Sequence, residues 1–189
     1  MTGPPDGPPD GPPIGPSDQP SDEPLDAGLV AADLTCRVIT VSTRAAAGVY
    51  PDATGPVIAA ALAHLGARVQ GPVLVPDGDP VEQALRDAVG DGVDAVITTG
   101  GTGFTPTDRT PEMTRRVLEL EIPGMAELMR ARGVAAGVPT AVFSRGVVGV
   151  VGATLVVNLP GSRGAVRDGL EVLLPLLVDA VRHLRGPAG

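Results

Sequence analysis

From residue 37 onward, short β-branched runs alternate with longer Ala/Leu/Arg stretches whose apolar positions recur at helical spacing. The runs RVITVS (37–42), RVQGPVLVP (68–76), DAVITTG (94–100), TAVFSRG (140–146) and TLVVNLP (154–160) read as strands. Segments 55–67, 80–92, 110–121, 123–133 and 162–184 read as helices. Pro56, Pro80 and Pro111 sit where a first helical turn tolerates proline, and Gly66, Gly92 and Gly133 sit where helices end. Such alternation predicts an α/β domain on a mainly parallel sheet.

Before residue 36 the pattern is absent. The segment GPPDGPPDGPPIGPSDQPSDEP repeats GPP at four-residue spacing, whereas collagen needs glycine at every third position. With little to bury and one-sided charge, residues 1–35 are expected to form a disordered, partly polyproline-II tail ahead of a folded domain at 36–189.

Charge changes the picture of the partners. All fourteen basic residues are arginine and the formal charge is −8; residues 1–35 carry seven acids and no base, so residues 36–189 carry only −1. A near-neutral domain without a basic stripe argues against nucleic acid or an anionic membrane and for a small-molecule partner. The core must be aliphatic, because Phe104, Phe143 and Tyr50 are the only aromatic residues. A single cysteine, Cys36, and two distant histidines, His64 and His183, make neither an internal disulfide nor a Cys/His zinc site. Without a long apolar run or a signal-peptide pattern, a cytoplasmic location is expected.

Chemistry is concentrated in TTGGTGFTPTD (98–108), which follows the strand DAVITTG. In an open parallel sheet, ligands bind beyond the carboxyl ends of strands. Gly100, Gly101 and Gly103 allow close backbone approach and can aim several N–H groups at one anion, although the same glycines also suit a tight turn. A Walker A loop needs a lysine that this chain lacks, and reading GTGFTP from Gly101 places Pro106 where a dinucleotide fingerprint needs its third glycine. Asp108 is either an N-cap for the helix opened by TPE or a ligand for a metal on a bound polyphosphate.

Two further strand ends add to this. Asp77 follows the second strand and Asp79 precedes the next helix, where the plain alternatives are turn and cap roles. NLPGSRGAVRDG places Asn158, Gly161, Ser162, Arg163 and Gly164 at the start of the last helix, a backbone-donor anion site. Convergence of these ends predicts a phosphorylated ligand with Mg²⁺, which needs few carboxylates when phosphates supply oxygens. Ser144 and Arg145 stand at a fourth strand end, where the guanidinium pairs with either a phosphate or a surface carboxylate.

TTGGTG with the following P-x-D-x-TPE, then IPG-x-A, SRG and NLPGS, resembles the Mog/MoaB family of molybdenum-cofactor biosynthesis, whose relatives include the gephyrin G domain and a domain of the molybdopterin molybdotransferases. The resemblance spans about residues 37–185 and includes RAAAGVYPD (44–52) and TGPVIAAAL (54–62). It implies a three-layer α/β/α molybdopterin-binding fold, a homotrimer, and adenylylation of molybdopterin by ATP with Mg²⁺, ahead of a downstream molybdate-inserting enzyme. The family's two functional aspartates fall on Asp77 and Asp108, implied as catalytic and metal-binding. By motif, Gly100, Gly101, Thr102, Gly103, Ser144, Asn158, Gly161 and Ser162 would cradle pterin and phosphate, with Thr110 and Glu112 beside them.

The chain departs from the family pattern twice. Ser42-Thr43 stands where the family often writes SD, and Ser162-Arg163-Gly164 replaces the SPK of NLPGSPK. Arg163 can restore the lost positive charge as a planar fork in place of a compact ammonium. The rival reading is a non-catalytic MoaB-like paralogue that binds pterin or a protein. The pair Asp77 and Asp108 favours the enzyme, because a pure binder needs no metal-positioning carboxylates.

Overall fold

A computed structural model describes residues 31–186. Its six strands are β1 (Thr35–Val41), β2 (Arg68–Val75), β3 (Ala95–Thr99), β4 (Leu120–Glu121), β5 (Val148–Val151) and β6 (Thr154–Leu159), in sheet order β2-β1-β3-β6-β5-β4. β2, β1, β3 and β6 are parallel, while β5 and β4 run antiparallel at one edge. The helices are α1 (Thr43–Ala46), α2 (Gly55–Leu65), α3 (Asp79–Gly90), α4 (Thr110–Arg115), α5 (Pro123–Ala135) and α6 (Arg163–Arg185). The expected α/β/α architecture with a mainly parallel sheet is what the chain adopts.

The central strands β1, β3 and β6 are largely buried on both faces, whereas the edge strands β2 and β4 are largely exposed. Cys36 and Val38 of β1, Ile97 of β3 and Leu155 and Val157 of β6 pack with Ile58 and Leu62 of α2 and Leu173 and Leu177 of α6. The alternate positions Ile39, Val41, Val96 and Val156 pack with Val81 and Leu85 of α3 and Met113 of α4. The period of two along each strand thus sorts its side chains into two aliphatic layers.

The expected tail falls largely on residues 1–30, outside the described residues. Where description begins, Ala31–Asp33 form a 3₁₀ turn and Leu34 is fully buried against the domain.

Three sequence expectations are corrected. The strand expected at 140–146 is a 3₁₀ turn, Pro139–Phe143, followed by an extended loop. That loop bonds to the glycine-rich segment and not to the sheet, with Arg145 N–H donating to the Thr102 carbonyl at 2.8 Å. The strand lies just beyond, at β5, and returns through Gly152 (φ +54°) into β6. The helix expected over 110–121 stops at Arg115, because Glu119 and Ile122 donate their N–H groups to Val150 and Val148 at the sheet edge. Gly133 lies inside α5 and not at its end; a Cβ there would sit 2.6 Å from Ala141 Cβ, so glycine lets the 3₁₀ turn close on the helix.

Candidate active site

The parallel strands all end on one edge, and β1 has β2 on one side and β3 on the other. The loops after β1 and β3 therefore diverge, which opens the crevice typical of such a sheet. The glycine-rich loop fills part of it. Gly100 has φ +98°, and a Cβ there would lie 2.2 Å from the Val41 carbonyl oxygen. Gly101 has φ +62°, and its Cβ would meet Thr110 Oγ1 at 2.3 Å and Asp77 Oδ1 at 2.7 Å. These two positions need glycine for backbone angle and for space alike. The N–H groups of Gly101, Thr102 and Gly103 find no acceptor among the described residues, as an anion-binding nest requires.

Two cavities flank this loop. The first, about 370 Å³, lies between Thr102 and Gly103, helix α5, the 3₁₀ turn and the start of α6, and has a mainly apolar wall that includes Met129 and Phe143. Phe143 meets Phe104 of the glycine loop edge to face at 5.4 Å between centroids. The second, about 510 Å³, is lined by Ser42, Thr43, Arg44, Tyr50, Asp77, Gly100, Gly101 and Asp108 among others. Gly161 lines both, and a Cβ there would come within 3.2 Å of Gly100 Cα. The wall between the cavities is backbone, thin because it is glycine.

Asp77 is braced by Thr43: its Oδ2 accepts from Thr43 Oγ1 at 2.9 Å and from Thr43 N–H at 3.4 Å, and its own N–H donates to Thr43 Oγ1 at 3.1 Å. Asp108 turns back on its own loop, where Oδ2 accepts from Thr105 N–H at 2.9 Å and from Thr105 Oγ1 at 2.5 Å. It is not the N-cap of α4, a position held by Arg109, and Asp79 does not cap α3, whose N-cap is Gly78. Each aspartate uses Oδ2 as the anchor and leaves Oδ1 without a donor, and both residues line the second cavity. Thr110 Oγ1, fully buried beside Gly101 and Asp77, also lacks a partner. Two carboxylates with a free oxygen each and an orphaned hydroxyl suit Mg²⁺ on a polyphosphate. No cluster of three metal-ligating side chains occurs among the described residues.

Arg145 settles the alternatives left open by the sequence. It pairs with Glu112 and donates to the carbonyls of Gly103 at 2.6 Å and Asp108 at 2.7 Å, which staples both ends of the glycine loop. Burial pushes the Glu112 carboxyl up, but the hydrogen bond and charge of Arg145, a backbone hydrogen bond and the charge of Arg115 together outweigh this and leave it below the ordinary 4.5. In the second cavity Arg44 stacks over the Tyr50 ring at 5.1 Å, and Tyr50 Oη lies 2.9 Å from Ser42 Oγ.

The remaining sequence candidates divide. Ser162 caps α6 by accepting from Ala165 N–H at 3.3 Å, and it lines the first cavity with Ser144 and Thr102. Asn158 reaches that cavity but spends both amide hydrogens internally, on Thr98 Oγ1 and Thr114 Oγ1 at 3.0 Å each. Arg163 lines neither cavity; it donates to the Ala53 carbonyl at 3.2 Å. The sequence reading did not pick Thr43 as the brace of Asp77, nor Arg130 and Asp168 as wall residues of the first cavity.

Fold and site together define a class: an α/β domain with two cavities on opposite sides of a glycine-rich wall at the carboxyl ends of its parallel strands. Residues 37–179 match the family described as "Probable molybdopterin binding domain", and the chain belongs to it. It is 40% identical over 151 residues to a molybdopterin adenylyltransferase of Haemophilus influenzae, covering 75% of this chain and 74% of that one. A solved Mog protein of molybdopterin biosynthesis from Mycobacterium ulcerans superposes with TM-score 0.76 at 51% identity, over 80% of this chain and 99% of that one. Some relatives are much longer. The chain is 35% identical over 156 residues to molybdenum cofactor synthesis protein cinnamon of Drosophila melanogaster, which covers 81% of this chain but 26% of that protein.

Proposed function

We propose that this chain is a molybdopterin adenylyltransferase of molybdenum-cofactor biosynthesis, joining molybdopterin and ATP to give adenylyl-molybdopterin and pyrophosphate. The observation that carries this reading is the pair of cavities meeting at Gly161 and the glycine loop, one apolar and one lined by carboxylates. The apolar cavity takes the pterin and the polar one takes ATP, so their phosphates meet where the wall is thinnest. The names of similar proteins, molybdopterin adenylyltransferases among them, support the same assignment.

The chemistry asks little of any side chain. A molybdopterin phosphate oxygen forms a new bond to the α-phosphorus of ATP, the bond from that phosphorus to the β-bridging oxygen breaks, and pyrophosphate leaves. What the protein supplies is alignment of two anions and relief of their repulsion. The free N–H groups of Gly101, Thr102 and Gly103 take phosphate oxygens, and Arg44 adds positive charge on the ATP side. Asp77 and Asp108 would hold Mg²⁺, which supplies charge neutralisation on the polyphosphate. Thr43 and Thr105 keep the two carboxylates from swinging away.

By the same resemblance we assign a homotrimer, a cytoplasmic location and delivery of product to a molybdate-inserting enzyme. Among the described residues no helix is long and apolar enough to cross a membrane. Light scattering of the purified chain checks the trimer. The reaction is tested with freshly released molybdopterin, Mg²⁺ and α-labelled ATP. Transfer of label to molybdopterin is expected; tight molybdopterin binding without transfer would favour the non-catalytic paralogue.

A further inference from the structure

One wall of the second cavity is a loop: Tyr50, Asp52, Ala53 and Thr54, which run from α1 into α2, all line it. Residues 46–53 are exposed apart from the half-buried Asp52, so burial does little to fix where this wall stands. Its position depends on hydrogen bonds. Tyr50 Oη meets Ser42 Oγ at 2.9 Å and Asp52 Oδ2 accepts from Thr40 Oγ1 at 2.7 Å, which ties the loop to the carboxyl end of β1. Asp52 Oδ1 accepts from the N–H groups of Thr54 and Gly55 at 3.0 Å each, which ties it to the start of α2.

The remaining tie comes from far away in the chain. Arg163 Nε–H donates to the Ala53 carbonyl at 3.2 Å, across 110 positions. Arg163 is the first residue of α6, next to the Ser162 cap, and Gly161 just before that cap borders both cavities. The bond therefore joins the loop of the second cavity to the turn that the two cavities share. The guanidinium itself lines neither cavity, and its NH1 and NH2 make no hydrogen bond or ion pair among the described residues.

We propose that Arg163 is a positioning residue for the ATP-side loop, acting through its Nε–H donor and not through its charge. The inference rests on the reading of the second cavity as the ATP site. Sequence alone suggests the opposite, a guanidinium standing in for a phosphate-binding lysine. The two roles need different atoms. A phosphate contact needs positive charge at the tip of the side chain, whereas the Ala53 bond needs an N–H at the ε position. Glutamine has an amide N–H at that position and no charge, lysine has the charge but a methylene there, and methionine has neither.

The test titrates the full chain with Mg²⁺ and α,β-methylene-ATP, whose bridge between the α- and β-phosphorus does not break. Arg163→Met and Arg163→Lys are expected to bind the analogue about three- to tenfold more weakly than wild type, the scale of one hydrogen bond, while Arg163→Gln stays within about twofold. In the transfer assay the Met and Lys variants raise KM for ATP by the same factor and leave kcat within about twofold, because Arg163 touches no reacting group. All three variants should melt with wild type, since the side chain is exposed. Lysine matching wild type while glutamine falls with methionine overturns the inference in favour of a charge contact, and four equal affinities overturn it as well. A wild type that does not bind the analogue sinks the reading of the second cavity itself.

Discussion

The two cavities beside the glycine loop share one wall and little else. The first is built by helices α5 and α6 and a 3₁₀ turn, so much of its wall is apolar, with Met129, Val138 and Phe143 beside the hydroxyls of Thr102, Thr140, Ser144 and Ser162 and one acid and one arginine. The second is built by the loops after β1, β2 and β3, so it gathers the carboxylates of Asp52, Asp77 and Asp108 with hydroxyls, the Arg44 guanidinium and loop backbone. On the proposed function, the difference suits one fold to two ligands of different character. Helix faces supply apolar shape, and strand ends supply polar groups whose positions are fixed by the sheet. The wall between them is glycine because side chains at Gly100 and Gly101 would collide with Val41, Thr110 and Asp77 of the protein itself, and one at Gly161 would press on Gly100.

If that division of labour is right, changes on the polar side act on rate. The largest effect is expected for Asp77→Asn and Asp108→Asn, each of which removes charge at nearly constant volume. Adenylyl transfer should fall about 100-fold or more, the scale of losing one preorganised electrostatic group. Melting temperature and molybdopterin binding should hold. Loss of molybdopterin binding in either variant would mean that the cavities are not separate.

Gly101→Val strikes the shared wall. Its φ of +62° disfavours a β-branched residue, and the new Cβ would press on Thr110 Oγ1 and Asp77 Oδ1. The backbone strain costs about 1–3 kcal/mol. Both binding and transfer should suffer, along with a measurable drop in melting temperature; unchanged molybdopterin titration would refute the wall assignment.

Thr43→Val sharpens the polar side more gently. It removes the hydroxyl that both donates to Asp77 Oδ2 and accepts from Asp77 N–H. Transfer should drop about tenfold, in keeping with bonds worth about 0.5–1.5 kcal/mol each. Thr43→Ser should keep most of the activity, because it keeps the hydroxyl.

The smallest effect is on stability against acid. Glu112 is held below its ordinary 4.5, so the Arg145 contact contributes fully above pH 4.5 and is lost as pH falls through the lowered folded value. Glu112→Gln should therefore make the fall of melting temperature below pH 4.5 shallower. Because the Glu112 and Arg145 side chains are 42% and 36% exposed, the contribution is under about 1 kcal/mol.

The parallel half of the sheet was legible because its strands are apolar runs bounded by turn residues. The antiparallel edge was not. β4 is two residues long and exists only through pairing with β5, a contact no local pattern announces. TAVFSRG carries β-branched and aromatic residues, but its backbone closes a 3₁₀ turn, with Ala141 and Ser144 N–H donating to the Val138 and Ala141 carbonyls, and joins the glycine loop through Arg145 N–H. Within the site, Gly100, Gly101, Gly103, Asp77 and Asp108 were readable because backbone angle and strand-end position are local properties. Their supports were not: Thr43 lies 34 positions from Asp77, and Arg145 lies 42 from Gly103 and 33 from Glu112. Nothing local in the sequence marks Asp168 and Arg130, which reach one cavity wall only because α5 packs against α6.

The most direct test of the two-cavity account is to titrate the chain with molybdopterin in the presence and absence of a saturating, non-hydrolysable ATP analogue and Mg²⁺. The account predicts a ternary complex, with molybdopterin affinity equal or higher when the analogue is bound. Strict competition between the two ligands would contradict it.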